Sequence, residues 1–382
     1  MAAALHAQAS KAHSVAAEAQ GHLPTLPVPT RGPGGATAQS DSTKVLTISG
    51  NVDAYYRYNF AGHQSATNNY TSFTNSNKSF ELGMASIRAD LLAVSGKVGG
   101  TVDLGFGRRA EEFSYNDGES NSGKNGFVSL SNIKQAFVTY APSTAIKFTM
   151  GKFATHVGYE LLDAPLNRNY SMSYMFTNGP FFHTGLKADV TAGNFGFMLG
   201  VANYTDQSTA TNNVSTALAQ VSGSFGDGKV KAYLNYVGFG GSEEGTNPSG
   251  LKSLNQVDLV VLAALSSKFN IGFNGTVQSR TQVEGSPDPD GSWWGAAGYF
   301  NFDPSEKVGL TLRSEYIGDN EMVYFGTENV FANTVSLNYK VGPLTIIPEI
   351  RFESAQSEIF VDKDFAGTKS TVSALLAAVL KF

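Results

Sequence analysis

Apolar and polar residues alternate with a period of two through most of this chain from residue 45 to residue 382. In the first such segment, residues 45–60, Leu46, Ile48 and Val52 share one face, while Ser49 and Asn51 share the other. A period of two is typical of a β-strand with one apolar face. The segment is also far longer than the average strand of about 5 or 6 residues. The alternation therefore predicts an all-β protein built from long strands.

The same count along the chain gives about sixteen strands, and their connections differ in length in a regular way. Even-numbered strands are followed by short turns of about two to five residues. Odd-numbered strands are followed by long polar loops, predicted at 61–79, 108–132, 153–180, 205–216, 240–255, 279–291, 318–330 and 354–370. This is the layout of an outer-membrane barrel. The sequence predicts a transmembrane antiparallel up-and-down β-barrel with short periplasmic turns and long extracellular loops.

Composition excludes several other classes of protein. The longest apolar runs, 259–265 and 374–380, are far shorter than the roughly 18 residues that a spanning helix needs. Charged residues make up 15% of the chain, against roughly 25% in an ordinary soluble domain. The chain has no Cys, which excludes disulfides and Cys-ligated metals. A net charge of −5 argues against a nucleic-acid partner.

The first 44 residues differ in kind from the rest of the chain. Residues 1–20 are rich in Ala and lack the apolar core of a complete signal peptide. Residues 22–35 are rich in Pro and Gly, as flexible linkers are. We predict a disordered leader or partial signal peptide with its linker at residues 1–44, and the barrel at residues 45–382.

Charged residues within the predicted strands share the polar phase. If the apolar face meets lipid, that phase lines the lumen. The predicted lumen-lining residues are Asp53, Arg57, Arg88, Asp90, Asp103, Arg313, Glu315, Glu349, Arg351 and Glu353. Lys134 and Lys152 are out of phase, and we interpret them as strand-end positions. We also expect the arginines at 57, 313 and 351 to face the acids at 53, 315 and 349 across the pore, which would set a transverse field.

The most distinctive stretch of the chain is residues 151–185. It contains Gly-Lys-Phe at 151–153, Gly-Tyr-Glu at 158–160, Asn-Tyr-Ser at 169–171, Gly-Pro-Phe at 179–181 and His-Thr-Gly at 183–185. These elements resemble the signature of the OmpL-like β-barrel porin-2 family. The resemblance implies a bacterial outer-membrane porin, a passive diffusion channel for small hydrophilic solutes or ions.

The same stretch forms the third long loop, which has more apolar residues than a solvated loop usually has. In the general porins that this layout resembles, the third loop folds inward and narrows the channel. We therefore expect loop 153–180 to enter the lumen, with constriction residues Glu160, Asp163, Arg168, Tyr170 and Tyr174. The alternatives are an external lid packed on neighbouring loops and a structural ion pair between Glu160 and Arg168.

Two other functions are compatible with parts of the pattern. A soluble or surface all-β binding protein would also alternate, with its apolar face inward, but it explains the strand lengths and loop asymmetry poorly. An outer-membrane barrel hydrolase would need a Ser and a His in the lumen or at the rim. His63, His156 and His183 are the only histidines after residue 44, and no two have a metal-ligand spacing. We predict no enzyme activity, no cofactor and no metal.

The remaining expectations concern partners. A C-terminal aromatic residue, Phe382, ends the last alternating strand and resembles the signal that the barrel-assembly machinery recognises in outer-membrane proteins. The expected partners are the lipid bilayer of the outer membrane, small polar solutes, the assembly machinery and, as in many sixteen-stranded porins, two further copies in a homotrimer.

Overall fold

A computed structural model describes residues 45–63, 68–93, 96–117, 128–210, 214–240, 251–286, 289–319 and 329–382. The predictions for residues 1–44 lie outside the described residues. The described chain forms a closed antiparallel barrel of sixteen strands, which confirms the predicted fold class. These strands are β1 (Val45–Asn59), β2 (Ser79–Leu92), β3 (Val98–Phe106), β4 (Ile133–Tyr140), β5 (Ile146–Ala154), β6 (Phe182–Ala192), β7 (Phe195–Ala202), β8 (Thr216–Phe225), β9 (Val230–Phe239), β10 (Leu251–Ala264), β11 (Phe269–Gln282), β12 (Gly291–Ser305), β13 (Val308–Gly318), β14 (Asn329–Val341), β15 (Leu344–Ala355) and β18 (Ser370–Lys381).

The barrel closes where its first strand meets its last. Each strand pairs with the next barrel strand along the chain, and β1 pairs with β18 from Asn51↔Lys381 to Asn59↔Ser373. Just beyond β18, Phe382 N donates to the Gly50 carbonyl at 3.0 Å. Gly50 N donates in return to the Phe382 carbonyl at 2.9 Å. The closed sheet therefore has no unpaired edge, as hydrocarbon surroundings require.

The two faces of the barrel wall differ in the way that the alternation predicts. On β14, Ala332 and Thr334 are buried inside, while Phe331 and Val335 are exposed on the outside. The same alternation recurs around the barrel, with large apolar side chains on the outer face. In the described part of the chain, no helix has both the length and the apolar character needed to cross a membrane.

The pairing register shifts at four places among the described strands, and two of these shifts bear on the site below. Between β1 and β2 the register shifts at Asp53 and Ala54, which leaves Gly83 as the extra residue. Between β3 and β4 the register shifts again, and Lys134 is the extra residue. Because a bulge adds one residue to one strand, it changes which side chains point inward beyond it.

The long loops contain the short helices and one small hairpin. The loops important below are L1 (60–78), L2 (107–132) and L3 (155–181), joining β1–β2, β3–β4 and β5–β6. L2 contains α1 (Arg108–Phe113) and the 3-10 helices Tyr115–Asp117 and Val128–Asn132. L3 contains the 3-10 helix Ala164–Leu166 and α2 (Tyr174–Asn178). The hairpin of β16 (Phe360–Val361) and β17 (Gly367–Thr368) precedes β18.

A charge placed on the outer face tests the assignment of that face to lipid. We expect Val335→Arg, near the middle of β14, to lower the free energy of unfolding in lipid vesicles by about 2–4 kcal/mol. Glu306→Arg, in an exposed turn, should change it by less than about 0.5 kcal/mol. Urea titrations followed by tryptophan fluorescence measure both values. Equal effects at the two positions would contradict a lipid-facing β14.

Candidate functional site

L3 is buried along most of its length and contacts inward-facing side chains of several strands. Gly158 N donates to Asp258 Oδ1 on β10 at 3.0 Å, and Tyr174 N donates to Glu315 Oε2 on β13 at 2.7 Å. Asn169 Nδ2 donates to Ser336 Oγ on β14 at 2.7 Å. These contacts satisfy polar groups of the loop that water would otherwise have to satisfy.

Arg313 on β13 makes the densest set of contacts with L3. Its Nη1 donates to Glu160 Oε1 at 2.5 Å and to the Ser171 carbonyl at 2.6 Å, and its Nε lies 3.1 Å from Glu315 Oε1. The arginine is fully buried, and Glu160 is 4% exposed. Glu160 also accepts from Ser173 N at 2.7 Å. One guanidinium therefore ties two separate parts of the loop to the barrel wall.

The neighbouring strand β15 adds a second set of charges to the same wall. Arg351 Nη1 donates to the Met172 carbonyl at 2.9 Å, and Arg351 lies 3.1 Å from Glu315 and 3.0 Å from Glu353. Tyr174 Oη donates to Glu353 Oε1 at 2.8 Å. Residues 171–174 of L3 are thus held by alternating positive and negative side chains of β13 and β15.

A third anchor joins L3 to β1 and L2. Tyr170 Oη donates to Asp53 Oδ1 at 2.5 Å, and Tyr170 N donates to Glu349 Oε2 at 2.8 Å. Arg109 Nη2 donates to the Tyr170 carbonyl at 2.7 Å, and its Nε lies 3.7 Å from Asp53 Oδ1. Gly83 makes room for this contact, because a Cβ there would lie 1.9 Å from Asp53 Oδ1.

A fourth anchor lies at the bulge of β4. Lys134 Nζ lies 2.6 Å from Asp163 Oδ1 and 3.0 Å from Asp103 Oδ1. Asn51 Nδ2 also donates to Asp163, at 3.0 Å. Burial alone would raise the pKa of Asp163, but Lys134 and Asn51 hold it below its ordinary value. Asp163 is therefore charged when the loop is in this position.

The remaining predicted residues are Arg57, Arg88, Asp90 and Arg168, and each contacts another residue of the barrel or of a loop. Arg168 makes a bidentate contact with Asp303 on β12, at 2.9 and 2.5 Å, so the alternative ion pair with Glu160 is not formed. Arg88 Nε lies 2.8 Å from Asp90, which is the next inward position on β2. Arg57 on β1 donates to the Asn68 carbonyl at 3.3 Å.

An aromatic cluster joins L1, L2 and L3. Phe73 of L1, Phe113 of L2 and Phe181 of L3 are all buried, with ring centroids 5.4 Å apart for Phe73–Phe181 and 5.7 Å apart for Phe113–Phe181. Elsewhere Tyr159 of L3 stacks on Tyr299 of β12 at 3.8 Å. The opposing position on β11 is Gly272, where a Cβ would lie 2.3 Å from the Tyr159 ring.

The expected transverse field is wrong. Arg57, Arg313 and Arg351 lie on β1, β13 and β15, and the acids Asp53, Glu315 and Glu349 lie on the same three strands. In the barrel these strands fall in the consecutive order β1, β18, β15, β14, β13. Both signs therefore alternate on one wall and do not face each other across the lumen.

Lys134 and Lys152 do lie near strand ends, at the second position of β4 and two residues before the end of β5, and both are buried. The bulge of β4 places both Lys134 and Gln135 in buried positions. Lys152 is buried too, with its Nζ 2.7 Å from Asp117 of L2 and 3.8 Å from the centroid of the Phe182 ring. The period-two alternation could not predict the buried position of Arg109, because this residue lies in L2 and not in a strand.

Two histidines are buried where L3 begins and ends. His156 Nε2 donates to the Tyr236 carbonyl at 3.0 Å, and His183 Nε2 lies 2.9 Å from Thr155 Oγ1. Burial lowers the pKa of His156 to about 4, against the raising effect of its bond to Tyr236. In the described residues, no group of three or more His, Cys, Asp or Glu side chains has a metal-binding arrangement.

A closed sixteen-stranded barrel with an apolar outer face and a charged inner face defines a channel of the outer-membrane porin class. The chain belongs to the family described as "Putative beta-barrel porin-2, OmpL-like", whose model matches residues 45–382. The family confirms the resemblance seen in residues 151–185, the predicted porin function and the location in the bacterial outer membrane. Among curated proteins, none matches the chain.

Solved outer-membrane proteins have a similar fold. The anion-selective porin from Comamonas acidovorans is 12% identical, with a TM-score of 0.60 over 89% of this chain and 100% of that one. The channel DcaP of Acinetobacter baumannii is 11% identical, with 0.59 over 89% and 97%. OmpT of Vibrio cholerae, in its trimer form, is 12% identical, with 0.54 over 89% and 99%. At these identities the likeness shows the fold alone.

Removal of the Arg313 guanidinium tests its importance for stability. Arg313→Leu leaves Glu160 buried without a cation, so we expect the free energy of unfolding in detergent to fall by about 3–5 kcal/mol. The measurement is a urea titration followed by heat-modifiable gel mobility. Arg108→Leu is the matched control, because that side chain is 42% exposed and should contribute no more than about 1 kcal/mol. A loss no larger than that of the control would refute the role.

The pKa of His156 predicts a dependence of stability on pH. The unfolded chain binds this proton near pH 6.5, whereas the folded protein binds it only near pH 4. Stability should therefore fall as pH falls from about 6.5 to 4, by about 3 kcal/mol for this group. His156→Gln removes the group, so urea titrations at pH 7 and pH 4 should differ less in the variant than in the wild type. Identical differences would exclude His156 as the source.

Proposed function

We propose that L3 constricts the channel of this porin, and that small polar solutes or ions cross by passive diffusion through the remaining space. The proposed constriction is the loop 153–180, with Glu160, Asp163, Arg168, Tyr170 and Tyr174 at its narrowest part. The proposed lumen lining consists of the strand residues Asp53, Arg57, Arg88, Asp90, Asp103, Arg313, Glu315, Glu349, Arg351 and Glu353.

The observation that carries this proposal is the set of contacts made by Arg313. A loop that lay outside the barrel as a lid would not need its residues 160, 171 and 172 bonded to one inward guanidinium of β13. Further contacts with β1, β10 and β14 support the same position. Each of these bonds supports a position of the loop within the cross-section that solutes would have to pass.

We further propose that the channel selects by size more than by the sign of charge. Positive and negative groups alternate on one wall and lie close enough to compensate each other. Paired charges produce a weaker field at a distance than a row of one sign would produce. A narrow passage lined by such pairs would admit small hydrophilic solutes of either charge.

The proposal assigns transport and no catalysis to the chain. Each histidine of the barrel has its Nε2 close to a hydroxyl or a backbone carbonyl: Thr155 for His183, Tyr236 for His156 and Asp362 for His63. We also propose that the barrel-assembly machinery recognises Phe382 and that three copies associate, since the outer membrane protein OmpT, of similar fold, is described in a trimer form.

Replacing the loop tests the constriction directly. Phe153 and His183 are paired across β5 and β6, so a short Gly/Ser linker can replace residues 157–178 without opening the barrel. We expect the single-channel conductance in planar bilayers to rise several-fold, because the cross-section no longer contains the loop. An unchanged conductance in a correctly folded variant would show that L3 lies outside the ion path.

A cross-link provides the matched control. The chain has no Cys, and Asn169 contacts Ser336 of β14 directly, at 2.7 Å. With Asn169→Cys and Ser336→Cys together, we expect a disulfide to form in the folded protein and the oxidised form to keep the wild-type conductance. Absence of the disulfide would contradict the position of the loop. Tyr174→Ala, which removes one ring from the proposed constriction, should raise conductance even if the linker variant does not fold.

A further inference from the structure

Arg57 is the exception among the buried cations of the described residues. Its side chain is 3% exposed, its Nη2 donates to the Asn68 carbonyl at 3.3 Å, and its Nη1 has no hydrogen-bond partner. No Asp or Glu oxygen of the described residues lies within the 4.0 Å that defines an ion pair. Glu353 attracts the Arg57 charge from beyond ion-pair distance, but Nη1 has no acceptor, and a buried polar group without a hydrogen-bond partner is costly.

The other buried cations show what such compensation looks like here. Each of them lies within 4.0 Å of at least one carboxylate: Arg109, Lys134, Lys152, Arg313 and Arg351. Glu353, on the same wall as Arg57, is already paired with Arg351 and accepts from Tyr174 Oη. Among the described residues, five of the six buried cations therefore have a carboxylate within ion-pair distance, and Arg57 does not.

A small cavity of about 10 Å³ lies beside Arg57. Its wall includes Arg351 and the hydroxyl-bearing residues Thr71, Thr74 and Ser373, all of which can donate hydrogen bonds. Glu349 also lines it, but its carboxylate accepts from Tyr170 N, Ser171 N and Ser336 Oγ. The volume is enough for one group about the size of a water molecule, such as a halide ion or a single oxygen of a carboxylate. The cavity thus combines an unpaired cation, further donors and room for a single small group.

We propose that this cavity is a binding site for a small anionic group, either a halide ion or the carboxylate of a small solute, held by Nη1 of Arg57. A charge-assisted bond to the guanidinium compensates the buried charge, and Arg351 adds a second positive charge to the wall. The site lies between L1 and the inner faces of β1, β15 and β18. It goes beyond the proposed constriction and does not depend on whether L3 limits conduction.

Crystals of the full-length protein, folded in detergent, test the proposal with two probes. One set is grown in sodium bromide and the other in sodium bromoacetate, and anomalous diffraction locates the bromine in each. We expect a bromide peak in contact with Arg57 Nη1, or a bromoacetate whose carboxylate contacts the same nitrogen. The first result assigns the site to a free halide, and the second assigns it to a solute carboxylate.

Two variants distinguish binding at Arg57 from a general attraction of anions to positive charges of the protein. Arg57→Gln should abolish the bromine peak at this place, whereas Arg108→Gln, which removes one exposed positive charge, should retain it. The proposal would be overturned if neither probe bound in wild-type crystals. It would also be overturned if the bromine peak persisted in Arg57→Gln. The wild-type crystals decide the question even if Arg57→Gln does not fold, and no conductance measurement enters the result.

Discussion

The pairing of β1 with β18 is the constraint on which the rest of the structure depends. In hydrocarbon every backbone N–H and C=O must be bonded within the protein, and a sheet meets that demand only when it has no edge. Nine residue pairs of β1 and β18 close the ring. The reciprocal bonds between Gly50 and Phe382 extend the closure by one pair beyond β18. Only after closure do the two faces of the strands become an outside and an inside.

Closure concentrates the scarce charges of the chain on one side. Although only 15% of the residues are charged, the inner wall contains buried arginines at 57, 313 and 351 next to buried acids at 53, 315, 349 and 353. Burying these charges away from water is costly unless polar groups form hydrogen bonds with them. L3 supplies them with its carbonyls, backbone N–H groups and Glu160. The high glycine content helps as well, since Gly83 and Gly272 allow loop side chains to approach the wall closely.

The regular parts of this architecture could be predicted from the sequence, because period two follows from strand geometry alone. The irregular parts could not. The bulge at Lys134 adds a residue that breaks the phase, and Arg109 lies in a loop where no period exists. We expected opposite charges to face each other across the pore. The order of strands around the barrel instead places charges of both signs next to each other on one wall. The partner of Arg168 could not be predicted either, because Asp303 lies on β12, 135 residues further along the chain.

A local rule explains half of the ion pairs among the described strands. Residues two apart on a strand share a face, and a base followed two positions later by an acid occurs at Arg88–Asp90, Lys187–Asp189, Arg313–Glu315 and Arg351–Glu353, with distances of 2.8 to 3.8 Å. Arg57 breaks the rule, because Tyr55 and Asn59 occupy the adjacent inward positions. Where charges cancel in pairs, the electrostatic character of the lumen depends on the members left over. By this reasoning Arg57, which has no acid at the adjacent inward positions of its own strand, is the place where the pairing of charges along the wall is interrupted.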